Sequence, residues 1–154
     1  MSVVTTPPAD YDLRVKLAIY ALTAGTGRVP DAVEVEQRAG GTAAEVREAF
    51  ARLAERRLLV LEPDGVTIRM APPFSGVPTQ HVVASAGVEY HANRAWDAFG
   101  IVAALGREGE VRSRCEQSGQ PLRLRLDAGG PGESDWRFHC LVPAAQWWSD
   151  IVFT

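Results

Sequence analysis

The sequence predicts an α+β fold: a winged helix-turn-helix-like segment over residues 11–70, then a small mixed β-sheet domain with one central helix over residues 71–154. Three observations predict it. Apolar residues recur at helical spacing from Asp12 to about Leu53, then give way to short runs separated by turn residues. A single long apolar stretch, Trp96–Leu105, lies among those short runs and ends at Gly106. Leu122, Leu124 and Leu126 alternate with Arg123, Arg125 and Asp127, the period of a half-exposed strand.

Residues 1–10, rich in Thr and Pro, read as a flexible lead-in. The first helix carries an apolar stripe of Leu13, Val15, Leu17, Ala18, Ala21 and Leu22, and Gly25-Thr26-Gly27 stops it. Asp31–Arg38 forms a short second helix. Thr42 caps a third helix, with Glu45 completing a capping box. In that helix Val46, Ala49, Phe50, Leu53 and Ala54 share a face. Leu58–Leu61 and Val66–Met70 flank Pro63-Asp64-Gly65 and read as a hairpin. Three prolines make residues 71–79 irregular. Strands are expected at Val82–Val88, Val111–Arg114, Leu122–Leu126, Trp136–Val142 and Ile151–Phe153, with a short helix from Pro143 through Trp148 and Asp150.

Composition narrows the function classes. The net charge of -3 and pI of about 5.6 do not suggest a basic nucleic-acid-binding domain. Along the third helix, Glu45, Arg47, Glu48, Arg52, Glu55, Arg56 and Arg57 mix both signs, the mark of a solvated, salt-bridged face. A scaffold or homodimer role therefore outweighs DNA recognition there. No apolar run is long enough to span a membrane. The N-terminus lacks a basic region followed by an apolar stretch, so the cytoplasm is the expected compartment. Cys115 and Cys140 are expected as free thiols. No CxxC or His-x-x-x-His spacing is present, which gives a structural zinc site little support; no metal and no cofactor are expected.

Four segments stand in order along the second half: Met70–Thr79, Asn93–Ile101, Ser113–Leu122 and Leu141–Thr154. Together they resemble the alkylmercury lyase (organomercurial lyase) family, which also carries an N-terminal helix-turn-helix segment. The resemblance implies protonolysis of a carbon–mercury bond: one cysteine thiolate attacks mercury, a second shares it, and an aspartate delivers the proton. Mercury is soft and needs thiolate ligands, and the leaving carbanion needs a nearby acid.

Carried over residue by residue, the resemblance places the proton-delivering aspartate at Asp97 and the attacking cysteine at Arg94. The second cysteine falls within Ser134-Asp135-Trp136, none of which is cysteine. Cys115 matches a family cysteine with a structural look. The resemblance thus implies a member that keeps the acid but lacks both sulfur ligands. A guanidinium is always protonated and has no lone pair for a soft metal. Arg94 and Asp97, three apart on a helix, instead suit an ion pair, or a fork for a carboxylate or phosphate with Asp97 as acid or polar anchor. The expected partner is a small organic molecule. His91, at the pocket mouth, and Trp96, Phe74 and Trp136, as apolar lining, are candidates to contact it. Two alternatives stay open: a genuine lyase using Cys115 or Cys140, and a ligand-sensing winged-helix regulator.

Overall fold

The computed structural model describes residues 8–153. Of the expected flexible lead-in, residues 1–7 lie outside the described residues, while α1 (Pro8–Thr26) already begins at Pro8. Proline suits a first helical turn because the N–H it lacks has no intrahelical partner there. The apolar stripe of α1 is shifted from the one expected. Val15, Ala18 and Ile19 are buried, while Leu13 and Leu17 are more than half exposed. The reason is that the buried face also takes a polar pair. Asp12, only 4% exposed, accepts from Arg52 Nη2 at 2.7 Å and Nε at 3.0 Å. Arg52 therefore leaves the solvated face of α3 and bridges to α1.

α2 (Ala32–Ala39) and α3 (Ala43–Glu55) both start with capping boxes, Asp31 with Glu34 and Thr42 with Glu45. Each box satisfies backbone N–H groups that the first turn leaves without partners. A three-stranded antiparallel sheet follows, in the order β1 (Val60–Leu61), β2 (Ile68–Ala71), β3 (Phe74–Ser75). Asp64 builds the β1–β2 turn by accepting from the N–H groups of Val66 and Thr67, both at 2.8 Å. The proline-rich stretch is not wholly irregular. Phe74 and Ser75 lie beyond its two consecutive prolines and return as a strand paired with Ala71 and Met70.

The second sheet has the order β5-β4-β6-β7-β8. Its strands are β4 (Val82–Ser85), β5 (Val88–His91), β6 (Gly109–Arg114), β7 (Pro121–Asp127) and β8 (Gly130–Pro131). All its pairings are antiparallel, where a mixed set was expected. The single expected strand over residues 82–88 is a hairpin. Ala86 (φ 49°) and Gly87 (φ 79°) form its two-residue loop, the left-handed geometry that matches strand twist. α4 (Ala95–Leu105) packs Ala98, Ile101 and Val102 onto this sheet. It stops at Gly106, whose left-handed φ of 63° returns its N–H to Val102 and Ala103 carbonyls.

One core cluster fills the space among α1, α2, α3 and β2, and a second lies between α4 and the five-stranded sheet. Tyr20 and Val29 pack against both. Tyr20 donates to the carbonyl of Pro72 at 2.7 Å, and Tyr90 donates to that of Ala24 at 2.6 Å. Gly27 marks the closest approach. Its φ is +78°, and a Cβ there would sit 2.1 Å from the carbonyl oxygen of Glu89.

The C-terminal segment departs most from expectation. Residues 136–142 and 151–153 form no strands, and 144–149 is a 3-10 helix. A strand needs a partner for its row of backbone donors and acceptors. The edge of β7 is taken by Gly130-Pro131, and the last backbone bond to that strand is Gly132 N–H to the Arg125 carbonyl, at 2.9 Å. Beyond it the chain leaves the sheet and crosses the start of α4.

Candidate functional site

Arg94 is the N-cap of α4, with extended backbone (φ -144°, ψ 169°) and no side-chain cap bond. Arginine has no acceptor to offer the first-turn N–H groups, so its side chain is available for other contacts. Nη1 donates to Asp97 Oδ2 at 3.2 Å, and Nη2 donates to the Ile151 carbonyl at 2.5 Å. The guanidinium carbon also lies 5.8 Å from the ring centre of Trp147, a cation–π contact. The expected ion pair between Arg94 and Asp97 is thus formed. Both side chains are less than one-fifth exposed. Burial pushes the Asp97 carboxyl above its ordinary pKa, opposed by the Arg94 charge and by hydrogen bonds from its side chain and backbone.

Beside this pair lies a cavity of about 520 Å³. The body of the protein supplies Met70, His81, Asn93, Arg94, Ala95 and Glu116, and residues 138–142, Trp147, Val152 and Phe153 close it from the C-terminal segment. Two adjacent residues of its 3-10 helix tie that segment to the body. Trp147 meets Arg94, and Trp148 lies 5.8 Å from the guanidinium of Arg57, just past α3. Trp147 Nε1 also donates to the Val142 carbonyl at 2.8 Å.

Of the residues singled out in the sequence, Arg94 and Cys140 are on this wall. Asp97 stands behind Arg94 as its ion-pair partner. His91 Nδ1 accepts from Thr79 N–H at 3.0 Å, which fixes the loop before β4. Phe74 is in the core, with ring centres of Tyr20 and Tyr90 at 6.1 and 5.8 Å. Trp96 is 54% exposed and packs on Phe99 and Phe138. Trp136 is half-buried against the second core. Sequence reasoning passed over His81 and Asn93. Asn93 donates to the carbonyls of Pro73 (3.2 Å) and Phe74 (3.3 Å), and its Oδ1 is buried without a partner. A lone histidine before a strand carries no signal that would have found His81.

A family model for MerB, alkylmercury lyase, matches residues 74–154, more than half of the 154-residue chain. The chain belongs to the alkylmercury lyase family. The mercury-bound form of MerB2 is a similar solved structure, with a TM-score of 0.60 and 20% identity. The likeness covers 83% of this chain and 66% of that one, so this chain spans just under two thirds of that relative. No curated protein matches it.

In this alkylmercury lyase family member both cysteines are free thiols. Cys140 is exposed, lines the cavity, and donates to the Val142 carbonyl at 2.7 Å. Cys115 sits in the turn between β6 and β7, away from the cavity wall. Hydrogen bonds from Ser118 and the Gln117 N–H hold its thiol below the ordinary pKa. Among the described residues no group of three His, Cys, Asp or Glu side chains is placed to hold a metal ion. No helix of the described residues is long and apolar enough to cross a membrane. A smaller recess of about 280 Å³ opens between the ends of β4, β6 and β7, lined in part by Glu108, Glu110 and Asp127. It lies apart from Arg94 and Asp97.

Proposed function

We propose that this alkylmercury lyase family member binds a small organic anion in the cavity beside α4 and does not cleave carbon–mercury bonds by the family's route. The observation that carries the reading is Arg94, a guanidinium on the cavity wall at the helix position where the resemblance places an attacking thiolate. Guanidinium cannot ligate a soft metal, but its permanent positive charge on the wall favours a carboxylate or phosphate occupant. Asp97 holds it in place through the ion pair. Phe138, Leu141, Val142, Val152 and Phe153 offer an apolar surface for a hydrocarbon group. Raised above its ordinary pKa, Asp97 keeps some capacity to exchange a proton.

The test is binding of phenylacetate and phenylphosphonate, followed by calorimetry or NMR, beside an assay for benzene release from a phenylmercury salt. The expected result is binding that Arg94→Gln weakens at least about tenfold, equivalent to 1.4 kcal/mol, with no benzene formed. Binding unaffected by the substitution would sink the reading. Cys140 favours one competing reading, a lyase with its thiol in a new position, because its sulfur lines the same cavity. Benzene release that disappears in Cys140→Ser but survives in Cys115→Ser would establish that reading instead.

A further inference from the structure

The cavity has a second polar group, on the wall formed by the five-stranded sheet. His81 immediately precedes β4, and its carbonyl accepts from the Ala92 N–H at 2.8 Å and from Thr79 Oγ1 at 3.2 Å. The strand pairing places it opposite Ser113, and its ring Nδ1 meets Ser113 Oγ at 2.7 Å. Nε2 has no hydrogen-bond partner among the described residues, yet it is not sealed in the interior as Asn93 Oδ1 is. The tie at Nδ1 therefore orients the ring and leaves Nε2 to the cavity that the residue lines.

The Ser113 hydroxyl both donates and accepts, so it supports either imidazole tautomer. Nε2 can accordingly present a proton or a lone pair to an occupant. Burial lowers the pKa of His81, with the Glu116 carboxylate opposing, so the ring is neutral near pH 7. The ionisable groups sharing the cavity with it are Glu116 from the turn after β6, Arg94 from α4, and His139 and Cys140 from the C-terminal segment.

We propose that His81 is the proton-exchanging contact of this cavity: an organic anion held at Arg94 draws a proton from solvent onto His81 Nε2. The proposal rests on the anion-binding reading above and adds a residue and a proton to it. A negative charge close to an imidazole favours the imidazolium, so binding and proton uptake are linked. Only an N–H bond forms, with water or buffer as the donor. The imidazolium then faces the occupant with a proton it can return.

The experiment is calorimetric titration of the full chain with phenylacetate from about pH 5.5 to 8, in buffers of different ionisation enthalpy. The ligand's carboxylate stays ionised throughout, since ordinary carboxyl groups titrate near pH 4. The expected result is net proton uptake, with affinity falling by up to about tenfold per pH unit above the pKa of the free ring. His81→Gln should lose most of this pH dependence and of the proton uptake. The His81 ring resonance in the unsubstituted protein should shift toward the imidazolium position on ligand addition, which reads the same event without relying on the variant's folding. Binding without proton uptake, or an unchanged pH dependence in His81→Gln, would overturn the role of His81 and leave the anion cavity standing. Failure of the intact protein to bind phenylacetate or phenylphosphonate would remove the anion cavity itself, and the proposal with it.

Discussion

Arg94 Nη2 donates to the backbone carbonyl of Ile151 at 2.5 Å, joining the first turn of α4 to a residue 57 positions later. The same guanidinium holds Asp97 and stacks near Trp147. One side chain thus fixes both Asp97 and the segment that closes the cavity.

Arg94→Ala should therefore loosen the C-terminal segment more than the body. Removing one partner of a largely buried, hydrogen-bonded pair costs on the order of 1–3 kcal/mol. Hydrogen exchange followed by mass spectrometry should show faster exchange across residues 133–153, with α1 and α3 unchanged. Uniform acceleration through the whole chain would mean that Arg94 supports the global fold instead.

Asp97 gives a pH dependence of definite sign. Its folded-state pKa is raised above the ordinary 3.8, chiefly by burial. The folded state then holds the proton more tightly than the unfolded chain. This contribution to stability is complete below about pH 3.8 and is lost as pH rises through the folded-state pKa. Asp97→Asn should remove that part of the pH dependence. Urea midpoints measured from about pH 3.5 upward should fall less steeply for the variant than for the parent protein. Parallel profiles would refute the assignment.

Cys115 should show thiolate chemistry at a lower pH than an ordinary thiol. Hydrogen bonds from Ser118 and Gln117 favour its ionised form, and the thiolate is the nucleophile. Peptide mapping after brief iodoacetamide treatment at several pH values should place the midpoint for Cys115 labelling below that of an ordinary thiol, near 8.5. A midpoint at or above that value would contradict the turn geometry.

Gly27→Ala should destabilise by more than about 1 kcal/mol, because the new methyl group meets both a left-handed backbone and the Glu89 carbonyl. Thermal unfolding should report it as a drop of several degrees. Gly65→Ala makes a useful control. Its φ is +70°, but nothing lies within 4 Å of the added carbon, so only the backbone component remains.

Where local chemistry decides the structure, the sequence was readable. Thr42 and Glu45 announce the start of α3, Gly106 the end of α4, and the Leu122–Leu126 alternation marks β7. The family resemblance singled out Arg94 and Asp97, and their separation by three on a helix then pointed to the ion pair. The cavity could not be read this way, because half its wall comes from residues 138–153, which have no repeating pattern. Trp136–Val142 looks like a strand only until the neighbouring edge is known to be occupied by Gly130-Pro131. Arg52 was misplaced for a related reason. Its sign fits a solvated helix face, and only the fold brings the buried Asp12 within reach.

The adjacent indoles of Trp147 and Trp148 face different cations, Arg94 on α4 and Arg57 beyond α3. Nature has in effect placed two fluorophores on one short helix, each beside a charge belonging to a different part of the body. Any shift of residues 144–149 changes the electric field at both rings, so emission wavelength becomes an intrinsic gauge of where that helix sits. Replacing Arg57 or Arg94 separately would assign the two signals without attaching a dye.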